Sequence, residues 1–286
     1  MDQKKIYEVV NFVTLGLAGV FFLVFYEDGT DILKSPAVVI LIVTAILVHF
    51  IKALRLYIAF YGRGLSFGEY IIQYCKVIPV SMILPLKLGD LFRAYCYGYK
   101  IRNYFAGALI LLMDRFVDSL ALVTVVLLMN ITVGCEITVV FYVVLVFLLF
   151  VILCYQLFPE MYLYWKKYFL LAKASGRRNG ILRYLERLNV VYQEVAELVK
   201  SRGGALYMLS FFSWAIEIGG LLLSNWLILH QQIKGIAAEY LKAALTGRQS
   251  EYLKQFVLIN MILLFTVYLM FTCLEYREKG RGKDHL

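Results

Sequence analysis

Long apolar runs separated by short charged breaks dominate this chain. At a rise of about 1.5 Å per residue, a helix needs about 20 apolar residues to cross a ~30 Å hydrocarbon core. Residues 6–26, 36–57, 104–130, 137–158, 205–230 and 255–275 meet that length nearly or fully, and each predicts a membrane-spanning helix. Polar or turn residues close the runs, such as Glu27-Asp28-Gly29 after the first and Pro159-Glu160 after the fourth. The first run follows Lys4 and Lys5 in the manner of a signal peptide. No small-x-small site ends it, so it is expected to remain as a span.

Two segments break this pattern. In 66–99 the longest uncharged apolar stretch, Val77 to Leu86, is short and holds Pro79 and Pro85. Each proline removes a backbone donor and disrupts an interior helix by about 3 kcal/mol. In lipid the freed groups need partners from protein or trapped water. The favoured expectation is a re-entrant pair of half-helices shielded by the full spans, with a single kinked span as the alternative. In 181–200, Ile181, Leu185, Leu188, Tyr192, Val195 and Val199 recur at spacings of four and three, with charges on the other faces. That pattern predicts an amphipathic helix lying at the inner membrane surface, or a short coiled coil for a partner.

Basic residues choose between the readings of 66–99. If that segment re-enters and the N-terminus is cytoplasmic, Lys4, Lys5, Lys52, Arg55, Arg63, Lys87, Arg93, Lys100 and Arg102 approach the inside. The basic residues of 159–204 and of the tail join them. Outside it leaves Lys34, Lys234, Lys242, Arg248 and Lys254. A single crossing would export the 159–204 loop and the tail, against the positive-inside bias. The expected architecture is therefore an all-α integral membrane protein over 1–286, with about six spans and both termini cytoplasmic.

Composition agrees. The chain is 62% hydrophobic and 17% charged, with a mean hydropathy of +0.74, whereas soluble domains are about half apolar and about a quarter charged. The formal charge of +9 then reads as inner-face loops and not as a nucleic-acid surface. Five scattered cysteines form no C-x-x-C pair and three isolated histidines form no H-E-x-x-H, so neither a disulfide framework nor a metal site is suggested. No nucleotide-binding motif or other cofactor signature is present. The acidic loop Glu27–Asp31 reads as a solvated outer turn.

Charges inside apolar runs matter most, because each costs roughly 2.5–3.5 kcal/mol at the bilayer centre. Asp114 lies about ten residues into 104–130, or roughly 15 Å, and Asp118 shares its face. Arg115 can pair with Asp118 at i,i+3, leaving one carboxylate for Arg93 or Lys87 to neutralise. Pro85 ahead of Leu88 favours a helix start. A half-helix beginning there would aim free N–H groups into a cavity, with Lys87 and Arg93 beside it and Gly89 permitting close approach; this suits an anion such as a lipid phosphate. Glu217 sits in a stripe of Ser210, Ser213, Gly220 and Ser224. Structural alternatives stand beside each reading: an interhelical ion-pair lock, snorkelling cations, and close packing through small residues.

Pro85-Leu-Lys-Leu-Gly-Asp90-Leu-Phe-Arg93 resembles a P-x-x-x-G-[DE]-x-x-R segment, and Asp114-Arg-Phe-Val-Asp118 resembles an [ED]-R-x-x-D at the following helix. Both motifs, in this order, are similar to the flippase-like transmembrane region of lysylphosphatidylglycerol synthases and their stand-alone relatives. The likeness covers roughly residues 60–130. In the second half, Gly235-Ile-Ala-Ala-Glu239 is one residue longer than that family's G-x-x-E, so a second re-entrant element near 231–254 is in doubt. No soluble aminoacyl-transfer domain is expected. The resemblance implies translocation or binding of a phosphate-bearing lipid or polyprenyl-linked glycan in envelope biogenesis. The alternatives are a membrane glycosyl or phosphoglycosyl transferase and a non-catalytic partner of an envelope-glycan enzyme.

Overall fold

A computed structural model describes residues 3–24, 37–83, 88–134, 137–171, 176–229 and 251–281, and among these residues there are eight helices. They are α1 (Gln3–Val24), α2 (Ala37–Phe60), α3 (Phe67–Ile83), α4 (Leu88–Lys100), α5 (Tyr104–Val133), α6 (Val139–Leu171), α7 (Gly176–Leu229) and α8 (Glu251–Arg281). No strand occurs among the described residues. Among them four helical stretches are long and apolar enough to cross a membrane: Ala37–Phe60, Val139–Leu171, Arg178–Trp226 and Gln255–Cys273. The acidic turn 27–31, Pro85, Lys87 and the segment 231–254 lie outside the described residues.

Helix α6 shows most plainly what solvent the fold is built for. Val139, Val143, Val146, Phe147, Leu149, Phe150 and Leu153 are all exposed, and of its apolar run only Phe141 and Leu148 are buried. Water would penalise so large an apolar face, whereas hydrocarbon does not.

Helices α2 and α7 pack antiparallel along most of α2. Thr44 lies against Gly220, Lys52 meets Glu217, Arg55 meets Ser210, and Arg63 meets Glu194. At the end of α2 the Arg202 guanidinium donates to the carbonyls of Ile58 (3.2 Å) and Ala59 (3.4 Å). It thereby satisfies carbonyls that a helix C-terminus leaves without intrahelical donors. The small stripe on α7 does its packing work here: Ser210, Ser213 and Ser224 are buried, and a side chain at Gly220 would collide with Thr44.

Residues 181–200 correct the expectation of a separate surface helix. They form the first part of α7, a single 54-residue helix about 80 Å long. Gly203 and Gly204 do not break it, because interior glycine costs only about 1 kcal/mol each and contacts on both sides hold the register. The apolar stripe is taken up by α6: Tyr192 stacks on Phe158 with ring centroids 4.9 Å apart and tilts against Tyr155 at 5.1 Å. Lys166 of α6 reaches Glu186 at 3.6 Å. The 33 residues of α6 also exceed a bilayer core, at about 50 Å.

Between α5 and α8 sits an antiparallel pair, α3 and α4, with α1 against α3. Ser66 and Glu69 open α3 with a reciprocal capping box, Ser66 N–H and Oγ donating to Glu69 Oε2 at 3.2 and 2.7 Å. Pro79 is accommodated inside α3, which continues to Ile83, so that proline does not end the half-helix as its chemistry suggested. Helix α4 begins at Leu88, close behind Pro85. At 17 and 13 residues, α3 and α4 are about 26 and 20 Å long, both shorter than a ~30 Å core.

Glycines set how closely this pair approaches. A Cβ at Gly89 would overlap the Ser81 backbone, so the close approach Gly89 permits is to α3 and not to a ligand. At the α4–α5 turn a Cβ on Gly107 would lie 2.7 Å from the Gly98 Cα. Asn103 caps α5 by accepting from the Ala106 N–H at 3.0 Å. Around the pair, Phe60, Tyr70, Tyr74, Val77, Tyr97, Phe265 and Tyr268 form one buried cluster. Leu41, Leu122, Val126, Phe141, Ile218 and Phe256 belong to a second.

Gly107→Ala forces two backbones apart and is expected to cost about 1–3 kcal/mol. Gly219→Ala, with open space around its Cα, gains helix propensity of about 1 kcal/mol. Thermal unfolding in detergent should therefore show a lowered midpoint for the first and an unchanged or raised one for the second; equal midpoints would contradict the α4–α5 contact.

Candidate functional site

Asp114 and Asp118 stand one turn apart on α5, and Arg55 of α2 sits between them. Its guanidinium pairs with Asp114, Nη2 donating to Oδ2 at 3.0 Å and Nε lying 2.8 Å from Oδ1. Nη1 donates to Asp118 Oδ1 and, at 2.7 Å, to Ser210 Oγ on α7. The side chains of Arg55 and Asp114 are 5% and 2% exposed. A planar guanidinium suits this task because its donors are fixed in a fork that matches a carboxylate.

Arg55 is thus the partner of Asp118, where the sequence pointed to Arg115. Arg115 turns instead to Asp90 of α4, Nη2 to Oδ1 at 2.5 Å, and is half exposed. Arg93 Nη1 donates to the same Asp90 oxygen at 3.3 Å. Glu217 accepts from Lys52 Nζ at 3.0 Å, and that ammonium also lies 5.8 Å from the Trp214 ring centroid. His49 Nε2 is 3.0 Å from Asn260 Oδ1 on α8.

These groups surround one cavity of about 290 Å³. Six helices line it: α2 through His49, Lys52 and Arg55, α3 through Tyr74 and Ser81, and α4 through Arg93. Helix α5 adds Asp114, Arg115 and Asp118, α7 adds Glu217, and α8 adds Asn260. Of the residues singled out by sequence, Arg93, Asp114, Arg115, Asp118 and Glu217 converge here. Asp90 joins through Arg93 and Arg115, Gly89 sits at the α3–α4 contact, and Lys87 lies outside the described residues.

Lys52, Arg55 and His49 were missed as site residues. They recur every third residue near the end of the second apolar run, where basic residues read as an inner-face boundary. The available signal was charge accounting: two carboxylates one turn apart in an apolar helix require a cation, and Arg55 is a basic residue inside a span.

Arg93 has a further property. Its side chain is 8% exposed, it lines the cavity, and its Nε has no hydrogen-bond partner. A buried guanidinium N–H left unmade is expensive.

The fold and the site define an all-helical chain, four of whose described helices suit a membrane, with a polar cavity of compensated charge among them. No protein-family model, curated protein or solved structure matches this chain.

Removing the guanidinium should strand the buried carboxylate of Asp114 and the half-buried one of Asp118. Arg55→Met is expected to lower stability by about 3–5 kcal/mol, read as a large fall in the thermal midpoint in detergent. Adding Asp114→Asn and Asp118→Asn should recover much of that loss. If the triple variant is no more stable than Arg55→Met, the carboxylates are not held by Arg55.

Proposed function

We propose that this chain is a multi-pass membrane protein of the flippase-like kind that binds and translocates a phosphate-bearing lipid or lipid-linked glycan. In this reading α1, α2, α5, α6, α7 and α8 span the membrane with both termini cytoplasmic. The short α3–α4 pair enters and returns. Helix α5 carries its charges across because Arg55 and the α4 groups compensate them. The observation that carries the reading is one cavity lined by Lys52, Arg55, Arg93 and Arg115, four cations in a single polar space.

An amphipathic lipid suits such a cavity. Its volume of about 290 Å³ falls at the small end of ligand pockets, enough for a phosphodiester and a small headgroup, while acyl or prenyl chains would remain in the surrounding bilayer. Arg93 and Lys52 would hold the phosphate. Ser81, Tyr74 and Asn260 offer neutral hydrogen-bonding groups to the headgroup, and the resemblance of Pro85–Arg93 and Asp114–Asp118 to the flippase-like region points the same way. The sequence carries no ATPase motif, so movement would follow the lipid gradient or its consumption.

Proteoliposomes holding a fluorescent phosphatidylglycerol report translocation as accessibility of the label to a membrane-impermeant quencher. Wild-type protein should exchange the lipid well above protein-free vesicles, and Arg93→Ala and Asp118→Ala should slow it at least about tenfold, the loss expected when a charged contact of about 1.5–3 kcal/mol is removed. Wild-type rates in both folded variants would overturn the assignment.

A further inference from the structure

Helix α6 does not end with its apolar run. Pro159 and Glu160 close that run, yet the helix continues to Leu171. One side of these last turns packs on α7, where Lys166 reaches Glu186 at 3.6 Å. The opposite side carries Tyr164, Tyr168 and Leu171 at spacings of four and three, one stripe of the helix, with Lys167 between them. The three large side chains are 65%, 55% and 81% exposed, and Lys167 is exposed as well. The stripe runs back through the exposed Leu157 and Leu153, so the face built for hydrocarbon continues past Glu160.

Charge decides which environment takes over. From Met161 to Arg187 the sequence holds seven basic residues and one acidic residue, Glu186. Lys167 on α6 and Arg183 and Arg187 on α7 are exposed. Aromatic rings and long basic side chains settle at the headgroup level of a bilayer, and clustered Lys and Arg favour an anionic surface. Water would leave the tyrosine and leucine stripe uncovered. An acidic partner protein would account for the charge but not for the continuity of the stripe with the lipid-facing side of the same helix.

We infer that the ends of α6 and α7, residues 161–171 and 176–187, lie in the headgroup layer of the bilayer and bind anionic lipid. Tyr164, Trp165 and Tyr168 enter the interface, and Lys167, Arg183 and Arg187 hold lipid phosphates. Length agrees. The 33 residues of α6 measure about 50 Å, against about 30 Å of hydrocarbon and about 40–45 Å with headgroups. Upright, the helix would carry Leu171 into water. Tilted by about 30°, within the usual range for spanning helices, it projects to about 43 Å and its last turns fall among the headgroups. The surface is separate from the cavity and does not rest on the reading of that cavity as a phosphate site.

Trp165 reports the contact directly. The full chain with Trp214→Phe and Trp226→Phe keeps it as the one tryptophan. The protein is reconstituted in vesicles of phosphatidylcholine and phosphatidylglycerol, either lipid being brominated near the headgroup. Both leaflets have the same composition, so the result does not depend on orientation. Brominated lipid should quench Trp165 strongly and aqueous iodide weakly. Brominated phosphatidylglycerol should quench more than the phosphatidylcholine at equal mole fraction. Lys167→Gln, Arg183→Gln and Arg187→Gln together should lower that preference at least about fivefold, the contribution of one basic residue near an anionic surface. If the double tryptophan variant does not fold, the difference between wild type and Trp165→Phe isolates the same emission. Quenching by iodide and not by lipid puts the stripe in water and overturns the contact. Protection from both puts a second copy over it and overturns it equally. No preference for phosphatidylglycerol, or one that the three substitutions leave unchanged, overturns the recognition of anionic lipid.

Discussion

The Arg55 guanidinium, clamped between Asp114 and Asp118, is the constraint from which the arrangement of the chain follows. Charged groups at membrane depth persist only when they face one another or a polar cavity, and here one side chain on α2 meets two on α5 and a serine on α7. Three helices are thereby fixed in rotation and height relative to each other. Moving any of them by one residue would separate a donor from its acceptor and leave a buried charge unpaired. This triad carries one surplus negative charge, and Arg93 on α4, itself bonded to Asp90, is positioned to offset it.

How Arg93 reaches that position is a matter of backbone approach. Gly89 lets α4 lie against the Ser81 backbone, and Gly98 and Gly107 let α4 turn tightly into α5. The tyrosines of the pair, Tyr70, Tyr74 and Tyr97, pack into one aromatic cluster with Phe60 of α2, with Tyr97 stacked on Phe60 at 4.9 Å. The short pair is thus anchored by ring packing on one side and by glycine contacts on the other. A guanidinium is carried inward while one of its N–H groups stays unsatisfied. An unsatisfied buried donor is a departure from the rule that buried polar groups are hydrogen-bonded.

On α2 two sets of ion pairs lie three residues apart. Arg55 engages Asp114 and Asp118 of α5 and Ser210 of α7, while Lys52 donates to Glu217 of α7 at 3.0 Å. Both line the same cavity, so one helix face carries the charges that tie α2 to its two neighbours.

Hydrophobic length alone determined much: the apolar runs at 37–60, 104–133 and 139–171 are helices whose starts are within a few residues of the pattern, while the run expected at 205–230 lies in a helix that begins at Gly176. The charges Asp114, Asp118, Arg93 and Glu217 were also legible, because a charge in or beside an apolar run is conspicuous whatever it contacts. Their partners were not. Arg55 and Lys52 read as boundary cations because linear sequence gives no rotation or depth to a helix. Only the packing of α2 against both α5 and α7 brings them opposite Asp118 and Glu217. The same register carried α7 straight through Gly203 and Gly204, where local propensity favoured a break. Composition and period thus determined which segments are helical and which charges are out of place. Tertiary structure decided which opposite charge each one meets, since that depends on contacts between residues as far apart as Lys52 and Glu217.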